Sequence, residues 1–233
     1  MKIIYRISDT GYNKVKPDYI NNELCLKNFC NVFFEHIYDI LIIADNCSKD
    51  TINMIKKYID PVNIRKVSIG HGAGTFNLAL DTALTYADDE VIYFVENDYL
   101  HRVGSPKVLK EGFDLGASFV TLYDHPDKYL DPSRGGNPYC EGGAEDTRVY
   151  ITDSCHWKIT NSTTMTFASK VIILKRIESV LRKWTTGSYP DDFKMFLELR
   201  EQNELLISSI PGYSTHGETA WLAPLMDWNQ INK

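Results

Sequence analysis

The sequence predicts an α/β fold built on a largely parallel sheet, and three observations carry that expectation. Residues 40–44 and 91–95 are apolar at every position, the pattern of strands covered on both faces. Each run stops on acidic and amide residues, Asp45-Asn46 and Glu96-Asn97-Asp98. The stretches between such runs space their apolar residues three and four apart, the helical period. Strand and helix in repeated alternation imply right-handed crossovers and a parallel sheet. A chain of 233 residues fits one large domain, and 43% apolar residues suffice for a substantial core.

The elements follow in order. Residues 3–7 form the first strand. Residues 18–36, polar with scattered apolar positions, form a helix. Residues 40–44 are the second strand. Ser48 or Asp50 caps the next helix, whose Ile52, Ile55 and Ile59 share a face. Residues 67–69 make a third strand before Gly70, Gly72 and Gly74, and Phe76, Leu80, Ala83 and Ala87 mark the following helix. Residues 91–95 are the fourth strand. Ser105 and Pro106 then open a helix as cap and first residue, and residues 117–123 return to strand. Residues 125–147, rich in Pro, Gly, Asp and Glu, form a loop of the length typical of functional lids. Residues 148–153 and 155–161 make a hairpin. Helices at 169–184 and 191–203 and a short strand at 205–209 complete the second half, and the tail from 211 is aromatic and irregular.

Composition excludes several classes. Lys and Arg number 25 against 31 Asp and Glu, a formal charge of −6, which disfavours nucleic-acid binding through phosphate neutralisation. The five cysteines show no CxxC pair, so neither a disulfide framework nor a cysteine zinc site is expected. The N-terminal residues are too short an apolar stretch for a signal-peptide core, and no run reaches the roughly 20 residues of a transmembrane helix. A soluble, cytoplasmic protein in a reducing compartment is the expectation.

In an open parallel sheet, ligands bind beyond the carboxyl ends of the strands. Acidic residues collect there: Asp9 after the first strand, Asp45 after the second, Glu96 and Asp98 after the fourth. A single such acid is ordinarily a helix cap or turn residue. Several converging on one edge suggest hard-cation and diphosphate chemistry, because Mg²⁺ and Mn²⁺ take oxygen ligands shared with phosphates. The glycines at 70, 72 and 74 lack the spacing of a Walker or dinucleotide loop. Trp157 and Trp221 can stack on a sugar, although core packing is the ordinary role of such residues. Residues 171–181 read as a core helix, with Lys170, Lys175, Arg176, Arg182 and Lys183 near it.

This constellation resembles the GT-A glycosyltransferases, most closely family 2 and its relatives. Asp45-Asn46-x-Ser48-x-Asp50-Thr51 is similar to the family's stretch after the second strand. Gly72-Ala73-Gly74-x-x-Asn77-x-Ala79-Leu80 looks like its glycine-led helix start, and residues 91–95 with Glu96-Asn97-Asp98 match the strand and DxD-like motif, Glu replacing the first Asp. The resemblance implies a Rossmann-like nucleotide-binding sheet (1–100) fused to an acceptor-binding, catalytic half with a mixed sheet (101–233), together one domain. It implies a nucleotide-sugar site of Ser8, Asp9, Asp45, Asn46, Asn77, Glu96, Asn97 and Asp98, with Mn²⁺ or Mg²⁺ on Asp98 and a late histidine, His216. Pro190-Asp191-Asp192 is similar to the family's motif bearing the catalytic base; Asp192 aligns with the base, and sequence alone does not rank it against Asp191. Trp157 is the acceptor-binding candidate.

The implied function is inverting, metal-dependent transfer of a sugar, hexosyltransferase-like, from a nucleotide-sugar donor, by default a UDP-sugar, to a glycan, protein or small-molecule hydroxyl. Two alternatives stand beside it. A sugar-1-phosphate nucleotidyltransferase would carry a glycine- and arginine-rich loop after the first strand, where this chain has Ser8-Asp9-Thr10-Gly11-Tyr12. A binding module that has lost turnover is the other.

Overall fold

Strand β1 (Lys2–Ser8) is flanked by β2 (Ile40–Asp45) and β4 (Val91–Glu96), both parallel to it, and β3 (Ile64–Val67) lies parallel outside β2. The computed structural model describes residues 1–11 and 14–231. Beyond β4 the sheet becomes mixed. β9 (Phe167–Lys170) runs antiparallel between β4 and β6 (Phe119–Thr121), and β10 (Leu206–Ile210) runs parallel to β6. The hairpin strands β8 (His156–Ile159) and β7 (Val149–Ile151) finish a nine-stranded sheet of order β3-β2-β1-β4-β9-β6-β10-β8-β7. A second, two-stranded sheet pairs β5 (Tyr99–His101) with β11 (Ser214–His216).

Helices cover both faces. On one side α1 (Asn22–Val32), α2 (Lys49–Ile55) and α4 (Ser105–Asp114) bury Leu26, Phe29, Ile52, Ile55, Val108 and Leu109 against the sheet. On the other, α3 (Gly72–Ala83), α5 (Val171–Arg176), α6 (Glu178–Lys183) and α7 (Asp192–Glu201) bury Phe76, Leu80, Leu174, Leu181, Phe196 and Leu199. Removing that apolar surface from water is the main stabilising term. The helix starts are capped locally: Asn21 accepts from Leu24 N, Ser48 from Thr51 N, and His71 Nδ1 from Gly74 N.

The order of elements agrees with the α/β expectation, and four local differences have physical causes. β3 ends where the expected strand began, because residues 69 and 70 turn their amides onto the Asp45 carboxylate. Gly104, in the left-handed region at φ 91°, takes the cap position expected of Ser105. β9 replaces the first turn of an expected helix, since strands on both sides satisfy its backbone. The irregular tail contains β11, whose partner β5 lies far away in sequence.

Candidate active site

A cleft of about 450 Å³ opens at the carboxyl ends of β1, β2 and β4, where an α/β sheet of this type binds ligands. Ile4 and Arg6 alternate with Ile3, Tyr5 and Ile7 along β1, which puts Arg6 on the α3 face at the cleft floor. Arg6 is buried. Its guanidinium is 3.2 Å from Glu96 Oε1 and donates to Gly72 O at 3.1 Å and to Met165 O and Thr75 Oγ1 at 3.4 Å. No residue pattern in the sequence marked Arg6; only its alternation with apolar neighbours placed it on one face.

Asp192, the first residue of α7, lines the same cleft. Burial, then the negative charge of Glu96, pushes its carboxyl up to about 7, against the opposing amide of Phe193. A group poised there exchanges a proton near neutrality. Its neighbour Asp191 is employed otherwise: it caps α7, accepting from Lys194 N at 3.1 Å and Lys194 Nζ at 2.8 Å. Asp191 is not among the cleft-lining residues, so the geometry favours Asp192 of the two as base.

Asp98 and His216 meet because of strand register. β5 begins at Tyr99, directly after Asp98, and pairs Tyr99 with His216 on β11. Asp98 Oδ2 lies 3.3 Å from His216 Nε2. Gly217 lets the strands approach this closely: a Cβ there would stand 2.7 Å from Asp98 O and 2.4 Å from Ile20 Cγ2. Burial raises the Asp98 carboxyl, but His216 and Lys16 outweigh it and hold the group well below the usual carboxylate range. Lys16 Nζ is 3.0 Å from Asp98 Oδ2, and Lys14 Nζ is 3.2 Å from His216 Nε2. Both lysines line the cleft; sequence reasoning passed over them because two lysines in a polar loop carry no pattern.

Among the remaining expected site residues, Asp45, Ser8 and Asn97 also line the cleft. Asp45 is buried, and its carboxylate accepts from Ile69 N at 2.6 Å and Gly70 N at 2.8 Å, so it shapes the turn before α3. The Ser8 hydroxyl accepts from Thr10 N, and Asn97 Nδ2 donates to Asn22 Oδ1 at 2.5 Å.

Four other candidates lie elsewhere. Asp9 accepts from Ser48 N and Thr51 Oγ1, both at 2.7 Å, and anchors the start of α2. Asn46, at φ 51°, lines a second pocket with Lys66 and Ser68, outside the cleft. Asn77 is fastened to Thr185, donating to its carbonyl at 3.0 Å and accepting from its hydroxyl at 3.1 Å. Trp157 is wholly buried beneath Gly112 of α4, its indole N–H donating to Thr152 Oγ1 at 3.0 Å; with no exposed surface it cannot stack on an acceptor. Trp221 and His125, with ring centroids 5.3 Å apart, both line the cleft.

The stretch 125–147, expected as a covering loop, is pinned from beneath. Lys158 Nζ lies 3.0 Å from Asp124 Oδ1, with side chains 3% and 0% exposed, and 3.7 Å from Glu145 Oε2. Lys128 donates to Ser162 Oγ at 2.9 Å, and Asn137 and Asn161 exchange amide hydrogen bonds. From its outer part Tyr139, 60% exposed, approaches Phe193 beside Asp192, ring centroids 6.2 Å apart.

No family model matches the sequence, and no curated protein sequence matches it. Solved structures do match its fold. GalNAc-T7 with UDP, GalNAc and Mn²⁺ aligns at a TM-score of 0.58 and 11% identity over 95% of this chain and 44% of that one. S. aureus TarS 1–349 in complex with UDP aligns at 0.51 and 13% identity over 92% of this chain and 60% of that one. The chain thus spans less than two thirds of either. It has the fold of the GT-A glycosyltransferases: a Rossmann-like parallel half joined to a mixed half. Among the described residues no helix is long and apolar enough to cross a membrane.

Proposed function

We propose that the protein is a glycosyltransferase that moves a sugar from a nucleotide-sugar, by default a UDP-sugar, to an acceptor hydroxyl with inversion. The observation that carries this reading is that Asp192 and the Asp98–His216 pair line one cleft at the carboxyl ends of the parallel strands. The GT-A fold and the UDP carried by both structural neighbours support it.

The residues fit a divalent cation. Asp98 Oδ2 and His216 Nε2, 3.3 Å apart, have the spacing of adjacent ligands of one small ion. Among the described residues no group of three or more His, Cys, Asp or Glu is arranged to hold a metal ion, so a diphosphate and water would have to complete the shell around this pair, as is usual for Mg²⁺ and Mn²⁺. When bound, such an ion neutralises charge growing on the departing nucleoside diphosphate. Asp192, with its proton affinity near neutrality, accepts the proton of the acceptor hydroxyl as that oxygen attacks the anomeric carbon. Arg6 holds Glu96 beneath the reacting centre. Asp45 keeps the turn before α3 in shape for the nucleotide. Tyr139 and Phe193 lie beside the base, outside the cleft lining, on the path an acceptor would take to it.

The test is a panel of UDP-, GDP-, CDP- and dTDP-sugars incubated with Mn²⁺, with released nucleoside diphosphate as the readout. Release with one nucleotide class, and an inverted product, is expected. Absence of release with every donor, despite nucleotide binding, would make the protein a binding module.

A further inference from the structure

We propose that Lys16, seconded by Lys14, binds the diphosphate of the nucleotide directly, so that this cleft retains a nucleoside diphosphate without a divalent cation. The inference deepens the reading above and rests on it. Lys16 Nζ is 3.0 Å from Asp98 Oδ2; Lys14 Nζ is 3.2 Å from His216 Nε2 and 3.6 Å from Glu218 Oε2. The two ammonium groups therefore stand at the two side chains that fit the cation.

Their direction is set by the backbone. Thr219 N donates to Val15 O at 2.8 Å, tying the segment after β1 to the tail across the cleft mouth. Val15, between the lysines, is 77% exposed, while Lys14 and Lys16 line the cleft. An ammonium carries three donors. Lys16 spends one on Asp98, which leaves two for phosphate oxygens without breaking the ion pair. Lys16 offsets the charge of Asp98 and Lys14 that of Glu218, so each of these two carboxylates has a cation beside it when a diphosphate arrives. Charge-assisted contacts of this kind are stronger than neutral ones.

The experiment is calorimetric titration of UDP, GDP, CDP and dTDP into the wild type, Lys16→Met, Lys16→Arg and Lys14→Met, each in EDTA and in Mn²⁺. Thermal melting of each unliganded variant checks folding. The wild type should bind one nucleotide in EDTA. Lys16→Met should weaken that binding by about tenfold to a hundredfold, the loss of a hydrogen bond to a charged group. Lys16→Arg should restore most of it, Lys14→Met should show a smaller loss, and Mn²⁺ should narrow the difference between Lys16→Met and wild type. Equal affinity of wild type and Lys16→Met in EDTA overturns the inference, as does wild-type binding that requires Mn²⁺; the proposed function survives either result. Absence of binding to every nucleotide in both conditions overturns both.

Discussion

Arg6 and Glu96 are paired twice. The register of β1 with β4 places them side by side, and the ion pair between them closes at 3.2 Å. Their side chains share the α3 face of the sheet because each follows apolar residues of that face, Ile4 on β1 and Phe94 on β4, at the strand period. A carboxylate held there by a buried arginine places negative charge near Asp192, where it adds to burial in raising that group.

Asp192→Asn keeps the shape of the side chain and removes its basicity. Transfer should fall by about 10²- to 10⁴-fold, the usual contribution of a general base, while affinity for the nucleotide stays within about twofold, a small effect expected where the nucleotide contacts are untouched. Steady-state kinetics and titration calorimetry on the same preparation test this; Asp191→Asn, which keeps an oxygen to cap α7 and loses only the charge paired with Lys194, should keep most activity.

Glu96 sets part of the pH dependence. The acid limb of kcat/KM should have its midpoint near the Asp192 value, about 7. Glu96→Gln removes the second-largest cause of that elevation, so the limb should move to lower pH. A pH–rate profile measured for both proteins reads the shift directly; a limb that stays in place assigns the titration to another group.

The same group predicts a stability effect with a definite sign. The Asp192 carboxyl is raised in the folded state, so between its unfolded value near 4 and about 7 the folded chain holds more protons than the unfolded one. Stability contributed by this group therefore falls as pH rises through that window and is flat above it. Asp192→Asn should melt at a higher temperature than wild type at pH 8, and the gain should vanish near pH 4. Differential scanning calorimetry at both pH values is the check.

Asp98→Ala should abolish most Mn²⁺-stimulated turnover, and His216→Ala should lower it less, since the carboxylate brings an anionic oxygen to the ion. Electron paramagnetic resonance of bound Mn²⁺ provides a readout independent of turnover. Unchanged Mn²⁺ binding in Asp98→Ala would remove the assignment.

Lys158→Met tests the floor of the 125–147 stretch. It leaves Asp124, already raised by burial, and Glu145 without their buried cation. Breaking a buried pair by deleting one partner costs about 3–5 kcal/mol, to be read from urea denaturation. Amides at the base of this stretch, such as Lys128 and Asn137, whose backbone bonds go to His125 O and Asp127 O, should exchange slowly in the unliganded wild type and quickly in the variant.

Local chemistry in the sequence determined much of this protein. Fully apolar runs of five residues bounded by polar residues fit strands buried on both faces, so β2 and β4 were legible, and their polar ends marked the cleft edge at Asp45 and Asp98. A cap at Ser48 or Asp50, of which the structure uses Ser48, and the three-and-four spacing of Phe76, Leu80 and Ala83 defined α2 and α3 for the same local reason. What tertiary structure decided depends on partners remote along the chain. β9 is a strand because β4 and β6 flank it. His216 reaches Asp98 because β11 pairs with β5, and Gly217 leaves room for the approach. Asp191 and Asp192 are adjacent acids that sequence cannot rank; the turn into α7 gives one to the helix cap and the other to the cleft. Trp157 and Trp221 are equally aromatic, and only the packing of α4 over β8 buries the first. Arg6, Lys14 and Lys16 carry no motif, because their role is defined by the carboxylates and imidazole that the fold brings beside them.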